Sequence, residues 1–169
     1  GEPVVNALWT VPMEGWAKLN TDGSWTADDG AGAGMVLRDS TDQIIFTSCR
    51  VLFSCRNTLE AEVGACMVGL SIAIQRTDLL IHVEMDSLQA VRMINEGATD
   101  RSVLTSLVEE IKHLRSLRTT IFSHLHRSQN VVSDYLAKYA RTENRTVVWL
   151  NSSLSEVIKL CNTDRDIIT

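Results

Sequence analysis

The sequence predicts an α/β fold in which a five-stranded mixed sheet is flanked by helices. Three observations lead there. The first third of the chain alternates with a period of two. The pattern then switches to steps of three and four. Beyond that, short apolar runs alternate with amphipathic ones. An antiparallel meander followed by β-α-β crossovers gives such a sheet, with helices on its faces.

Residues of about 16–26 read as the first strand, with Trp16, Lys18, Asn20, Asp22 and Ser24 on one face. Gly30 to Gly34 supplies a turn and leads into a second strand, Ala33 to Arg38. A turn at 39–42 precedes a third strand, Gln43 to about Phe53, rich in Ile, Val and Phe. Leu59, Val63, Cys66, Met67, Leu70 and Ile74 recur at helical spacing and predict a helix over about 58–76. Leu80 to Met85 is a short apolar strand ending at Asp86. Ser87 suits the N-cap of a helix over 88–96 that stops at Gly97. Leu104, Leu107, Val108, Ile111 and Leu114 mark another helix, Thr119 to His126 a fifth strand, and Val131 to Tyr139 a last core helix. Right-handed crossovers place the fourth strand beside the first and the fifth beyond the fourth. Residues 1–14 read as a lead-in, 15–142 as the domain and 143–169 as an extension. The extension carries an apolar patch (Val147, Val148, Trp149, Leu150) and a helix-like run from Leu154 to Leu160.

A chain of 169 residues can bury a real core as one domain. Its 44% hydrophobic and 22% charged content is ordinary for a soluble globular protein. No apolar run approaches the twenty residues of a membrane span, and no signal-like leader opens the chain, which also lacks an initiator Met and so reads as a fragment or a trimmed chain. Cys49, Cys55, Cys66 and Cys161 show no paired spacing, which fits reduced, buried thiols and an intracellular setting, nucleus or cytoplasm. The net charge of −5 argues against a broad basic face for nucleic acid. A local basic strip is still compatible with it, and Arg115, Arg118, Arg127, Lys138 and Arg141 enrich the later part of the chain.

Four acids stand out. Asp22 lies in Lys-Leu-Asn-Thr-Asp-Gly-Ser (18–24) and Glu62 in Leu-Glu-Ala-Glu-Val-Gly-Ala (59–65). Asp86 lies in His-Val-Glu-Met-Asp-Ser (82–87) and Asp134 in Asn-Val-Val-Ser-Asp-Tyr-Leu-Ala-Lys (130–138). The predicted topology puts Asp22, on the central first strand, near Asp86 at the end of the neighbouring strand. Glu62 and Asp134 each fall roughly 100° from the centre of their helix's apolar stripe, at the edge of the buried face. A carboxylate in such a setting loses hydration unless a cation or a hydrogen-bond network replaces it. Divalent metal is the simplest shared purpose. Taken singly, each acid has a bland alternative: a turn Asp, a solvated helix Glu, the Asp86-Ser87 cap, or a first-turn Asp favouring the helix dipole.

Five segments (15–24, 32–39, 60–65, 83–87 and 124–137), in this order, resemble the ribonuclease H family, and within it the plant domains of retroelement-derived reverse-transcriptase proteins. The resemblance implies an Asp, Glu, Asp, Asp set at Asp22, Glu62, Asp86 and Asp134, with Glu60 the competitor of Glu62. It implies a catalytic His at His124. It also implies two Mg²⁺ ions, for which Mn²⁺ can substitute, and an RNA–DNA hybrid or other nucleic acid as partner of a monomer. Asp22 would bridge both ions, Glu62 and Asp86 hold one, and Asp134 complete the other. Met35 and Ser133 depart from the usual Gly and Ala, and Asp42 stands at a turn often held by Gly. No Lys/Arg-rich protrusion is evident. That leaves three readings: an active ribonuclease H, an interaction module that kept the fold, and a different nuclease such as an exonuclease on single strands.

Overall fold

A computed structural model describes residues 8–97 and 103–165. The chain forms β1 (Trp16–Thr26), β2 (Gly30–Asp39), β3 (Ile44–Leu52), α1 (Thr58–Arg76), β4 (Leu80–Met85), α2 (Leu88–Glu96), α3 (Val103–Leu117), β5 (Thr120–His124), α4 (Val131–Glu143), β6 (Val147–Leu150) and α5 (Ser155–Thr163). A short 3-10 turn, Arg127–Gln129, joins β5 to α4.

The sheet has six strands in the order β5-β4-β1-β2-β3-β6, not the expected five. β1, β2 and β3 pair antiparallel, and β4 and β5 add in parallel on the far side of β1. The sixth strand comes from the apolar patch of the extension. It pairs antiparallel with the free edge of β3, Phe46 opposite Leu150 and Cys49 opposite Val147. Ser48 Oγ donates to the Val147 carbonyl at 2.8 Å, and the Val51 N–H donates to Thr146 Oγ1 at 2.9 Å. Four residues with only alternate positions half-buried give little periodic signal; the strand exists because an open sheet edge was there to satisfy its backbone.

Two apolar clusters flank the sheet. One lies between the sheet and α1, with α2 and α3 behind it, and the other lies under α4 and α5. α1 is long and apolar enough to meet the length and composition of a membrane span, but its buried side is the core of this fold. Two glycines set how closely the helices approach. A Cβ on Gly23 would sit 2.4 Å from the Glu62 nitrogen, so α1 lies hard against β1 at that level. A Cβ on Gly34 would sit 2.0 Å from the Ser133 carbonyl oxygen, so α4 lies hard against β2. Gly34 is the cross-strand partner of Asp22. Both close approaches therefore occur beside the same aspartate, on opposite faces of the sheet.

Candidate active site

That packing brings five chain segments to one cleft of about 370 Å³. Asp22, Gly23, Ser24 and Trp25 come from β1, Thr58 and Glu62 from α1, Asp86 from the end of β4, Arg127 from the 3-10 turn, and Asp134 and Lys138 from α4. One carboxylate oxygen each from Asp22, Glu62 and Asp86 lie within 4.8 Å of one another. Asp134 stands beside this trio. Its carboxyl shares a hydrogen bond with Asp22, and its Oδ2 accepts from Lys138 Nζ at 3.1 Å.

The electrostatics are those of crowded like charges. Asp22 is 7% exposed, and burial, followed by the nearby Asp86, Asp134 and Glu62, pushes its carboxyl up to about 9. Burial also raises Glu62, a hydrogen bond from Ser87 opposes the rise, and Asp86 adds to it. Burial raises Asp86 and Asp134 adds to that, while Arg127 and a hydrogen bond from Asn130 pull it down. The donor set is all oxygen, the chemistry that Mg²⁺ and Mn²⁺ prefer, so the residues present fit such ions.

Glu60 points elsewhere. Its Oε1 accepts from Arg56 Nε at 3.1 Å and its Oε2 from the Arg56 N–H at 2.9 Å, on the side of α1 away from the cleft. His124 is exposed at the end of β5 and is not among the cleft-lining residues. Its Nε2 donates to the Asp86 carbonyl oxygen at 3.2 Å.

The five late basic residues do not form a strip. Arg127 and Lys138 reach the cleft. Arg141 is held by Ser24 and Asp29, Arg115 lies over the Phe122 ring, and Arg118 caps the end of α1 through the carbonyls of Ile74, Thr77 and Leu79. Sequence reasoning gave Ser87 only as a cap. It is a cap, accepting from the Ala90 N–H at 3.2 Å, and its side chain also bonds Glu62. Asn130 was missed altogether. A buried Asn opening an amphipathic helix reads as a cap, yet its side chain makes no cap bond and turns to Asp86 instead.

This fold, with an acid-lined cleft where β1, β4, α1 and α4 meet, defines a ribonuclease H-like domain. The crystal structure of RNase H1 from the halophilic archaeon Halobacterium salinarum NRC-1 matches with a TM-score of 0.68 at 20% identity, over 74% of this chain and 96% of that one. LC11-RNase H1, solved in complex with an RNA/DNA hybrid, matches at 0.67 and 23% identity, over 76% of this chain and 98% of that one. At such identities the likeness shows the fold alone.

Sequence relatives narrow the class. The family described as "Reverse transcriptase-like" matches residues 20–140, and this chain belongs to that family. A "Putative ribonuclease H protein" of Arabidopsis thaliana is 32% identical over 135 residues, covering 78% of this chain and 22% of that protein. The chain thus spans about a fifth of the length of this curated relative.

Proposed function

We propose that the protein is a metal-dependent endonuclease that hydrolyses the RNA strand of RNA–DNA hybrids. The observation that carries this reading is the trio of carboxylates with oxygens within 4.8 Å, in an open cleft beside a fourth acid. Asp22 would be shared between two divalent ions, with Glu62 and Asp86 holding one and Asp134 the other. When bound, such ions supply an activated water and charge to stabilise the leaving oxygen.

The chain's own groups do the rest. Arg127, at the cleft wall next to Asp86, offers fixed positive charge to a phosphate entering the site. Lys138 holds Asp134 in place through their 3.1 Å ion pair. His124 swings from the Asp86 carbonyl to take or give a proton, or to help product leave. The RNA strand is chosen by its 2′-hydroxyl, the group that distinguishes it from DNA at a given site. Cleavage leaves a 3′-hydroxyl. The protein acts as a monomer within the cell, in a plant, retroelement-derived lineage.

The test is cleavage of an internally labelled RNA–DNA hybrid in Mg²⁺, with Asp22→Asn as control. Metal-dependent internal cuts that vanish in the variant support the reading. No cleavage by a folded protein contradicts it, and release from labelled ends alone points to an exonuclease. A second reading, a non-catalytic interaction module, is favoured by one observation: three of the five late basic residues are spent on internal contacts. It predicts weak or absent Mg²⁺ binding by calorimetry, with partner binding kept when the carboxylates are removed.

A further inference from the structure

Behind the acid cleft, on the α4 side of the sheet, runs a buried chain of hydrogen bonds that begins outside the matched 20–140 segment. Trp9, 1% exposed, donates from its indole Nε1 to Asn20 Oδ1 at 3.0 Å. Asn20 Nδ2 donates to Asn130 Oδ1 at 3.2 Å and to Glu84 Oε1 at 3.3 Å. Asn130 Nδ2 donates to the Thr21 carbonyl at 3.0 Å, and the same side chain bonds Asp86. The Asn130 carbonyl accepts the Asp134 N–H at 3.1 Å. One asparagine thus touches the strand residue preceding Asp22, the side chain of Asp86 and the backbone of Asp134.

The direction of this chain is set by chemistry. An indole N–H can only donate, whereas either end of an amide can face a neighbour. Asn20 must therefore turn its oxygen to Trp9 and its NH₂ to Asn130. Asn130 must then spend its oxygen on Asn20, which leaves its NH₂ for Thr21 and Asp86. Reversed, Asn130 would aim an oxygen at a carboxylate. Trp9 is itself fixed from behind. Its backbone N–H donates to the Asp164 carbonyl at 2.7 Å, and its ring centroid lies 3.8 Å from the guanidinium carbon of Arg38. That guanidinium pairs with both oxygens of Asp164 at 2.8 and 2.9 Å.

We propose that Trp9 is a positioning residue for the acid cluster, acting through the amides of Asn20 and Asn130 on Asp86 and on the start of α4. What the cluster does rests on the function proposed above; that Trp9 orients it does not. Trp9 reaches the cleft without touching it, and the Trp9→Phe variant keeps a ring over Arg38 while removing the donor. Glu84 still favours the native direction of the Asn20 amide in that variant, so its effect is the smaller one. Asn20→Leu removes both halves of the relay.

The experiment pairs side-chain amide NMR of the metal-free protein with Mg²⁺ calorimetry, on wild type, Trp9→Phe, Asn20→Leu and Ile111→Val. The last trims a core residue of α3, remote from the relay, and controls for lost stability. In Trp9→Phe the Asn130 amide signals move, and Mg²⁺ affinity falls about threefold; in Asn20→Leu it falls about tenfold. Ile111→Val leaves both readouts unchanged. Unmoved Asn130 signals in Trp9→Phe overturn the proposal. So does wild-type Mg²⁺ affinity in Asn20→Leu, or an equal loss in Ile111→Val. A wild-type protein that binds no Mg²⁺ sinks the functional reading instead, and the amide signals then decide the role of Trp9 alone.

Discussion

Asp22 and Asp164 are comparably buried, at 7% and 4% exposure, yet they live in opposite surroundings. Asp164 meets a bidentate guanidinium, with Trp9 stacked on the far side of the same group. Burial pushes its carboxyl up and Arg38 opposes that. Asp22 meets three other carboxyls and a single backbone N–H, that of Gly23 at 3.0 Å. One acid is matched within the protein and ties the extension to β2. The other is mismatched, and the protein maintains the mismatch with two glycine-mediated close approaches. A fold that pairs one buried acid with an arginine, and at another place buries Asp22 among acids with no basic group of its own, marks the second place as built for something from outside.

That contrast can be broken at either end. The largest effect is on cleavage: Asp22→Asn lowers the rate on a labelled hybrid by about a thousandfold or more, since it removes a charge the ions need. Glu62→Gln weakens cleavage strongly as well, whereas Glu60→Gln, which alters only the Arg56 contact, changes it little; steady-state rates on the same hybrid separate them. Next comes stability at the matched acid. Asp164→Asn leaves the Arg38 charge buried without its partner and costs about 3 kcal/mol, read from denaturant unfolding. At the mismatched acid the sign reverses. Asp22→Asn stabilises the metal-free protein at pH 8 by about 1–2 kcal/mol in the same assay.

The pH dependence has the same origin and is the smallest effect. Asp22, Glu62 and Asp86 all have folded-state values raised above their unfolded ones. The stability that comes from holding their protons is fully present below the unfolded carboxylate range. It is lost as pH rises through the folded values, up to about 9 for Asp22. Calorimetric melting of metal-free protein should show the midpoint falling by roughly 5 °C between pH 5 and pH 9. Mg²⁺ at about a hundred times its Kd restores about 2.7 kcal/mol at the alkaline end.

Much of this was legible in the sequence, for identifiable reasons. α1 declared itself because six apolar residues, Leu59 to Ile74, kept helical spacing along most of its nineteen residues. The strand order followed from crossover handedness once the meander was read. The gathering of Asp22, Glu62 and Asp86 followed from the same order plus the angular place of Glu62 on its helix. β6 was not legible, because four residues with one half-buried face look like any apolar patch until the edge of β3 is known. The Arg38–Asp164 pair was not legible either, since its partners lie 126 residues apart and Asp164 falls outside every matching segment. Asn20 and Asn130 were hidden for a related reason. A buried amide is ordinary by itself, and only the donor-only indole of Trp9 gives the pair a direction.

The central claim is that the acids converge in order to hold cations, and diffraction from crystals soaked in Mn²⁺ tests it most directly. Two anomalous peaks among Asp22, Glu62, Asp86 and Asp134 are the expected result. Their absence, with the four carboxyls bonded to one another or to Arg127 and Lys138, would contradict it.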